Sequence, residues 1–239
     1  MKVKICGITN RDDAEAAVEH GAWAIGLIHH KESSRFVKAS VAAGIGEEFR
    51  RRCEVVGVFV NPTIERVVQA AENAQLTMIQ LSGNEGSNFC TEVNRRTGLK
   101  VIKAFHVSSQ ADVKASTAYR FTDFHLFDTA RKGNYGGTGE AFDWDLLANY
   151  HSVIPTILAG GLNPDNVTEA IRIVRPDAVD VASGVESSPG IKDHGKLASF
   201  FQAARYTMSG QVPGPVGNDH PTYAPTSAYP TADGYINVA

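Results

Sequence analysis

The sequence predicts an α/β fold: a single (β/α)8 TIM barrel followed by a disordered C-terminal extension. Three observations lead there. Eight short, β-branched, nearly continuous apolar runs are spaced along the chain, each followed by a helical stretch, which is how strands buried on both faces of a parallel sheet read. The chain has 239 residues, and single barrels of this class typically run to about 250. The first strand-to-helix turn, Cys6-Gly7-Ile8-Thr9-Asn10, lacks the Gly-x-Gly-x-x-Gly pattern that would favour the competing open, doubly wound sheet.

Taken in order, the strand candidates are Val3–Ile8, Ala24–Ile28, Val55–Val60, Met78–Leu81, Val101–Phe105, His125–Phe127, Thr156–Ala159 and Ala178–Val181. After the first, Asp12 to Glu19 carries acids in its opening turn and stops near Gly21, as the helix dipole and glycine C-caps prefer. Thr63 opens a helix over Ile64–Glu72, with an acid at Glu65. Asn163-Pro164-Asp165 starts the helix that runs to Val174, with asparagine as N-cap and proline at the first helical position. The barrel domain is expected to occupy residues 1–205. From 206 to 239 the chain holds five of its ten prolines and shows neither helical nor strand periodicity, so this segment reads as a flexible tail.

Bulk composition narrows the function. With 43% hydrophobic residues, 21% charged residues and a net charge of −3 without long runs of one sign, neither nucleic acid nor an anionic membrane surface is indicated as a partner. No apolar stretch approaches the roughly 20 residues that span a bilayer. Met1-Lys2-Val3-Lys4 leads straight into a strand, without a secretory apolar region or an Arg-rich presequence. Three cysteines, Cys6, Cys53 and Cys90, give neither a disulfide framework nor metal-ligand spacing. A cytoplasmic location is the expectation.

In such barrels, functional residues sit at the C-terminal ends of strands and in the loops behind them. That places Cys6 after strand one, where a thiol ends an apolar run and a glycine breaks it; a buried inert cysteine is the competing reading. Arg35 stands behind strand two, where its planar fork suits a carboxylate and a surface ion pair is the alternative. His29 and His30 either form a pair with chemistry or close the second strand, and no further ligand completes a metal site. Asp128 follows an apolar run, and desolvation would raise its pKa into the range of a general acid; a loop-capping aspartate is the alternative. Behind it lies the glycine-rich stretch Gly133 to Gly139, of the kind that forms binding loops. Gly160-Gly161 and Ser183-Gly184 occupy the loops after strands seven and eight, where backbone N–H groups can hold a phosphate, although a Gly-Gly pair also makes a plain turn.

These residues together resemble the phosphoribosylanthranilate isomerase family. The likeness rests on Lys4-Ile5-Cys6-Gly7-Ile8-Thr9, Ser34-Arg35-Phe36-Val37, Val56 to Asn61, and Ile79-Gln80-Leu81-Ser82-Gly83-Asn84-Glu85. It continues through Phe127-Asp128-Thr129, Gly136-Gly137-Thr138-Gly139 with Phe142-Asp143-Trp144, Leu158 to Leu162, and Asp180 to Glu186 with Gly190-Ile191-Lys192-Asp193. The resemblance implies an Amadori rearrangement of N-(5-phosphoribosyl)anthranilate, a step of tryptophan biosynthesis. In it Asp128 acts as general acid, Cys6 as general base, Arg35 on the anthranilate carboxylate and Asp180 on the sugar, with Gly160, Gly161, Ser183 and Gly184 on the phosphate. It implies a small-molecule phosphosugar ligand, no cofactor, no metal, and a monomer or a homodimer. The family usually has histidine where Ser82 stands, proline at Ser34, apolar or aromatic residues around His29 and His30, and often serine where Ala182 stands. A paralogue acting on a related phosphoribosyl-amine, or a non-catalytic phosphate-binding barrel, would share most of these segments.

Overall fold

The computed structural model describes residues 1–129, 143–209, 227–231 and 234–238. Eight parallel strands close into a barrel in sequence order: β1 (Lys2–Cys6), β2 (Ala24–Ile28), β3 (Glu54–Phe59), β4 (Met78–Leu81), β5 (Lys100–Val107), β6 (Phe124–Thr129), β7 (Thr156–Leu158) and β8 (Ala178–Val181). Closure is made by β1 against β8, with Lys4 opposite Asp180 and Ile5 opposite Val181. The crossover helices are α1 (Arg11–Glu19), α2 (Ala39–Phe49), α3 (Ile64–Asn73), α4 (Ser87–Thr97), α5 (Gln110–Ala115) and α6 (Val167–Val174), and α7 (His194–Ser209) follows the last strand.

Alternation along the strands divides the core in two. Ile5, Ile25, Val55, Ile79, Val101, Phe127 and Val179 face the helices and pack with their buried sides. Ala24, Val56, Val58, Met78, Ile102, Ala104, Leu126, Ile157 and Ala178 fill the barrel interior, with Cys6 at the top of that set. Two lysines break the apolar rule. Lys4 and Lys103 are both buried, and each is neutralised by a buried acid: Asp180 at 2.9 Å and Glu85 at 2.8 Å.

Several boundaries differ from the sequence expectation. The first strand stops at Cys6 because Gly7 turns the chain with φ 75° and donates, with Ile8, to the Gly26 carbonyl. Strand five extends two residues beyond Phe105 to Val107, and strand six two beyond Phe127 to Thr129, since the ladder pairs His106 with Asp128 and Val107 with Thr129. Asn163 is not the cap of α6. Its side chain accepts from the N–H groups of Asp165 and Asn166 and closes a turn, and the helix begins at Val167 with Asn166 as its cap. Among the described residues between β6 and β7, the only helical stretch is a 3-10 turn over Trp144–Leu146. After β8 a short hairpin, β9 (Glu186–Ser188) with β10 (Ile191–Lys192), precedes α7.

The chain divides into a unit of Met1–Met208 and one of Ser209–Ala239. In the second, β11 (Ser227–Thr231) pairs antiparallel with β12 (Gly234–Val238); Tyr235, Ile236 and Val238 are good strand formers. The rest of that unit beyond Ser209 lies outside the described residues.

Candidate active site

A cleft opens at the C-terminal ends of the strands, where barrels of this class hold their ligands. Strand alternation decides what points into it. Cys6 continues the inward row of Lys4 on β1, His106 that of Ile102 and Ala104 on β5, Asp128 that of Leu126 on β6, and Asp180 that of Ala178 on β8. Cys6, Arg35, Asp128, Gly160, Gly161, Asp180 and Ser183 all line this one cleft. Gly184 does not. It sits where a Cβ would run into the Leu162 carbonyl, so it serves the close approach of the β7 and β8 loops.

Cys6 is a free, buried thiol. Burial pushes its pKa up and Asp180 adds to that, while Lys4 and Lys192 pull the other way; the net shift is upward. Gly26 makes room for this group, since a Cβ there would lie 2.8 Å from the Cys6 sulfur and 3.2 Å from Lys4 Nζ. Lys192 Nζ donates to the Cys6 carbonyl at 2.7 Å, to Ala182 O at 3.1 Å and to Glu186 at 2.9 Å. The resting group is therefore a thiol with two ammonium groups close enough to favour its thiolate.

Asp128 is shifted the same way. Burial drives its carboxyl up to about 6, helped by Asp180 and opposed by His106, Lys4 and the Thr129 N–H, which donates to Oδ1 at 2.7 Å. A carboxyl so placed keeps its proton up to about pH 6 and can donate it.

Arg35 is neither exposed nor on a surface ion pair. It forks onto Glu186, with Nε at 2.9 and 3.1 Å and Nη2 at 2.7 Å from the carboxylate oxygens. Glu186 is buried between Arg35 and Lys192, and those cations outweigh the effect of burial and hold its pKa below the usual range. The guanidinium is thereby fixed in plane at the rim of the cleft.

Gly160 and Gly161 both adopt positive φ, 86° and 65°. Asn166 pins this turn: its Nδ2 donates to Gly161 O at 2.9 Å and its Oδ1 accepts from Asn163 N at 2.9 Å. The two histidines part company. His29 stacks on Phe59 at 4.9 Å, and burial with the Arg66 charge lowers its pKa to about 4, so it is neutral and faces a separate side pocket. His30 lines the main cleft and lies 3.1 Å from Glu32. Ser82 also lines it, its hydroxyl accepting from Gln80 Nε2 at 3.1 Å. The glycine-rich stretch Gly133 to Gly139 lies outside the described residues. Sequence reasoning missed Lys4, Glu186, Lys192, Asn166 and His106; of these, His106 could have been found from strand parity.

A closed parallel barrel with a buried thiol and a buried carboxyl of raised pKa in one cleft at the strand ends is the architecture of a (β/α)8-barrel enzyme. The family model described as N-(5'phosphoribosyl)anthranilate (PRA) isomerase matches residues 3–203. The chain is 44% identical over 205 residues to the N-(5'-phosphoribosyl)anthranilate isomerase of Geobacter sulfurreducens, covering 86% of this chain and 98% of that one. The crystal structure of phosphoribosyl anthranilate isomerase from Thermotoga maritima matches with a TM-score of 0.80 at 40% identity, covering 86% and 98% of the two chains. A phosphoribosyl anthranilate isomerase in complex with reduced 1-(o-carboxyphenylamino)-1-deoxyribulose 5-phosphate matches at 0.76 and 39%, with the same coverage. The chain belongs to the phosphoribosylanthranilate isomerase family.

Proposed function

We propose that Asp128 and Cys6 carry out the Amadori rearrangement of N-(5'-phosphoribosyl)anthranilate as acid and base. The isomerisation itself, a step of tryptophan biosynthesis, is the activity of the family to which the chain belongs. Asp128 gives its proton to the furanose ring oxygen as the C1′–O bond breaks and the nitrogen lone pair forms the iminium. The C2′ proton is acidic only beside that iminium, so ring opening comes first. Cys6, once its own thiol proton has passed to water, removes it as thiolate, and the released electron pair forms the C1′=C2′ bond of an enolamine as the iminium nitrogen regains its lone pair. Tautomerisation adds a proton at C1′ and releases the C2′ hydroxyl proton, so both groups regain their starting protonation.

The observation that carries this reading is the meeting of two groups in one cleft: a carboxyl raised to about 6 by burial, and a buried thiol whose own upward shift is opposed by Lys4 and Lys192. Arg35, held flat by Glu186, supports a contact with the anthranilate carboxylate. Gly160, Gly161 and Ser183 would hold the phosphate, with Gly184 behind them shaping the turn, and Asp180 would meet the sugar from its seat beside Lys4. A single chain supplies every residue named, so turnover needs no second copy. A cytoplasmic setting suits an enzyme whose base is a free thiol; among the described residues no helix is long and apolar enough to cross a membrane.

The test is the loss of substrate fluorescence when freshly made N-(5'-phosphoribosyl)anthranilate meets the protein. Rapid decay with enzyme is expected; no decay above the uncatalysed rate at micromolar enzyme would overturn the reading.

A further inference from the structure

His30 and His106 line the cleft without a part in the chemistry above, and His106 is the one on a barrel strand. His106 lies directly across the β5–β6 ladder from Asp128, and parallel neighbours about 4.8 Å apart carry their side chains on the same face. Its ring is fixed: Nε2 sits 3.1 Å from the Ser82 carbonyl oxygen. A carbonyl only accepts, so Nε2 carries hydrogen in every protonation state of the ring, and Nδ1 is the nitrogen that gains or loses a proton. Ser82 is itself anchored, its N–H on Phe59 O at 2.8 Å and its hydroxyl receiving Gln80.

We propose that His106 is a positioning residue of the acid: held by Ser82, it places an imidazolium beside Asp128 and sets how readily that carboxyl gives up its proton. The proposal rests on Asp128 being the acid. Among the described residues, the charged groups that act on Asp128 are Lys4 from β1, His106 from β5 and Asp180 from β8; the Cys6 thiol lines the same cleft, and the turn after β7 adds only the uncharged Ala159, Gly160, Gly161 and Leu162. Lys4 is bound to Asp180 at 2.9 Å, so these two largely offset each other. His106 is then the remaining group whose positive form opposes burial at Asp128, and in that form it would stabilise the carboxylate left after the proton is given to the ring oxygen.

Coupling between two titrating groups is reciprocal, and this gives the test. The Asp128 carboxyl is titrated by 13C NMR in the wild type and in His106→Gln, which keeps a donor for Ser82 O. The His106 ring is titrated in the wild type and in Asp128→Asn. Asp128 is expected to move up by about one pH unit in His106→Gln, and His106 down by the same amount in Asp128→Asn, the low end of what a close opposite charge does. His106→Lys should return Asp128 to its wild-type titration. No movement in either direction overturns the proposal, and the Asp128→Asn half decides it alone if His106→Gln does not fold. Turnover by Asp128→Asn would instead remove the acid assignment, an outcome separable from the coupling.

Discussion

Lys4 Nζ and Asp180 Oδ1 lie 2.9 Å apart at the base of the cleft, with both side chains buried. Burial alone would lower the Lys4 pKa, but Asp180 and Cys6 outweigh it and keep the ammonium charged. This cation therefore serves two anions: it compensates Asp180 at rest and favours the Cys6 thiolate when that forms. Lys4→Met should strip both. An uncompensated Asp180 is expected to cost about 3–5 kcal/mol in urea unfolding. Lys4→Met/Asp180→Asn should regain most of that stability without regaining turnover. Recovery of turnover in the double variant would show that Lys4 does nothing for the thiol.

Cys6 carries a sharper expectation. Its side chain supplies the base but none of the contacts ascribed to the phosphate turns. Cys6→Ala should lower kcat by about 10²–10⁴, the range of a lost general base. The Kd of a reduced product analogue should stay within about threefold, less than 1 kcal/mol. Equal loss of rate and of analogue binding, measured by titration calorimetry, would make Cys6 a packing residue.

Much of this was legible before any coordinates. Cys6, Arg35, Asp128 and the paired glycines were reachable because apolar runs mark strands and this fold places its site at their ends. What stayed hidden has physical reasons. An apolar-run criterion tolerates a single polar residue inside a run, as at Lys103, but ends the strand where no apolar run resumes. It stopped strand five at Phe105 and left out His106, although Ile102, Ala104 and His106 share one parity. The same criterion treats lysine as exposed, so Lys4 and Lys103, each buried against an acid, drew no notice. Glu186 fixes Arg35 across 151 positions, a separation no local pattern encodes. The misplaced cap at Asn163 is a matter of competing turns: its Oδ1 accepts from the N–H groups of Asp165 and Asn166 ahead of the helix, while Asn166, the cap, turns its side chain back to Gly161 O and the Asn163 N–H.

Gly160 should tolerate no side chain. Its φ is 86°, and a methyl there would press on the Thr129 backbone and lie 2.9 Å from Asp128 Oδ1. Gly160→Ala is expected to destabilise by more than about 1 kcal/mol and to lower turnover by displacing the acid. Gly98 is the control. It is also left-handed, at φ 68°, but nothing lies within 4 Å of its added methyl. Gly98→Ala should show a comparable backbone penalty in thermal unfolding with unchanged kcat/KM. If both variants kept full activity, the turn at Gly160 would have no hold on Asp128.

Asp128→Asn should inactivate the enzyme and stabilise it. The unfolded carboxyl ionises near 3.8, whereas the folded one keeps its proton until about 6. Between those values the native state binds more protons than the unfolded chain, so stability falls as pH rises. Above about pH 6 the loss is complete, and at neutral pH it amounts to about 2–3 kcal/mol. Asparagine is neutral throughout and still accepts from the Thr129 N–H, so the variant escapes this cost. Urea unfolding of the two proteins should therefore differ most above pH 6, with Asp128→Asn the more stable, and converge below pH 4. The same burial that makes Asp128 an acid near neutrality is what the fold gives up stability to maintain. A variant less stable than the wild type at pH 7, or a gap independent of pH, would mean that Asp128 is held ionised and cannot be the proton donor.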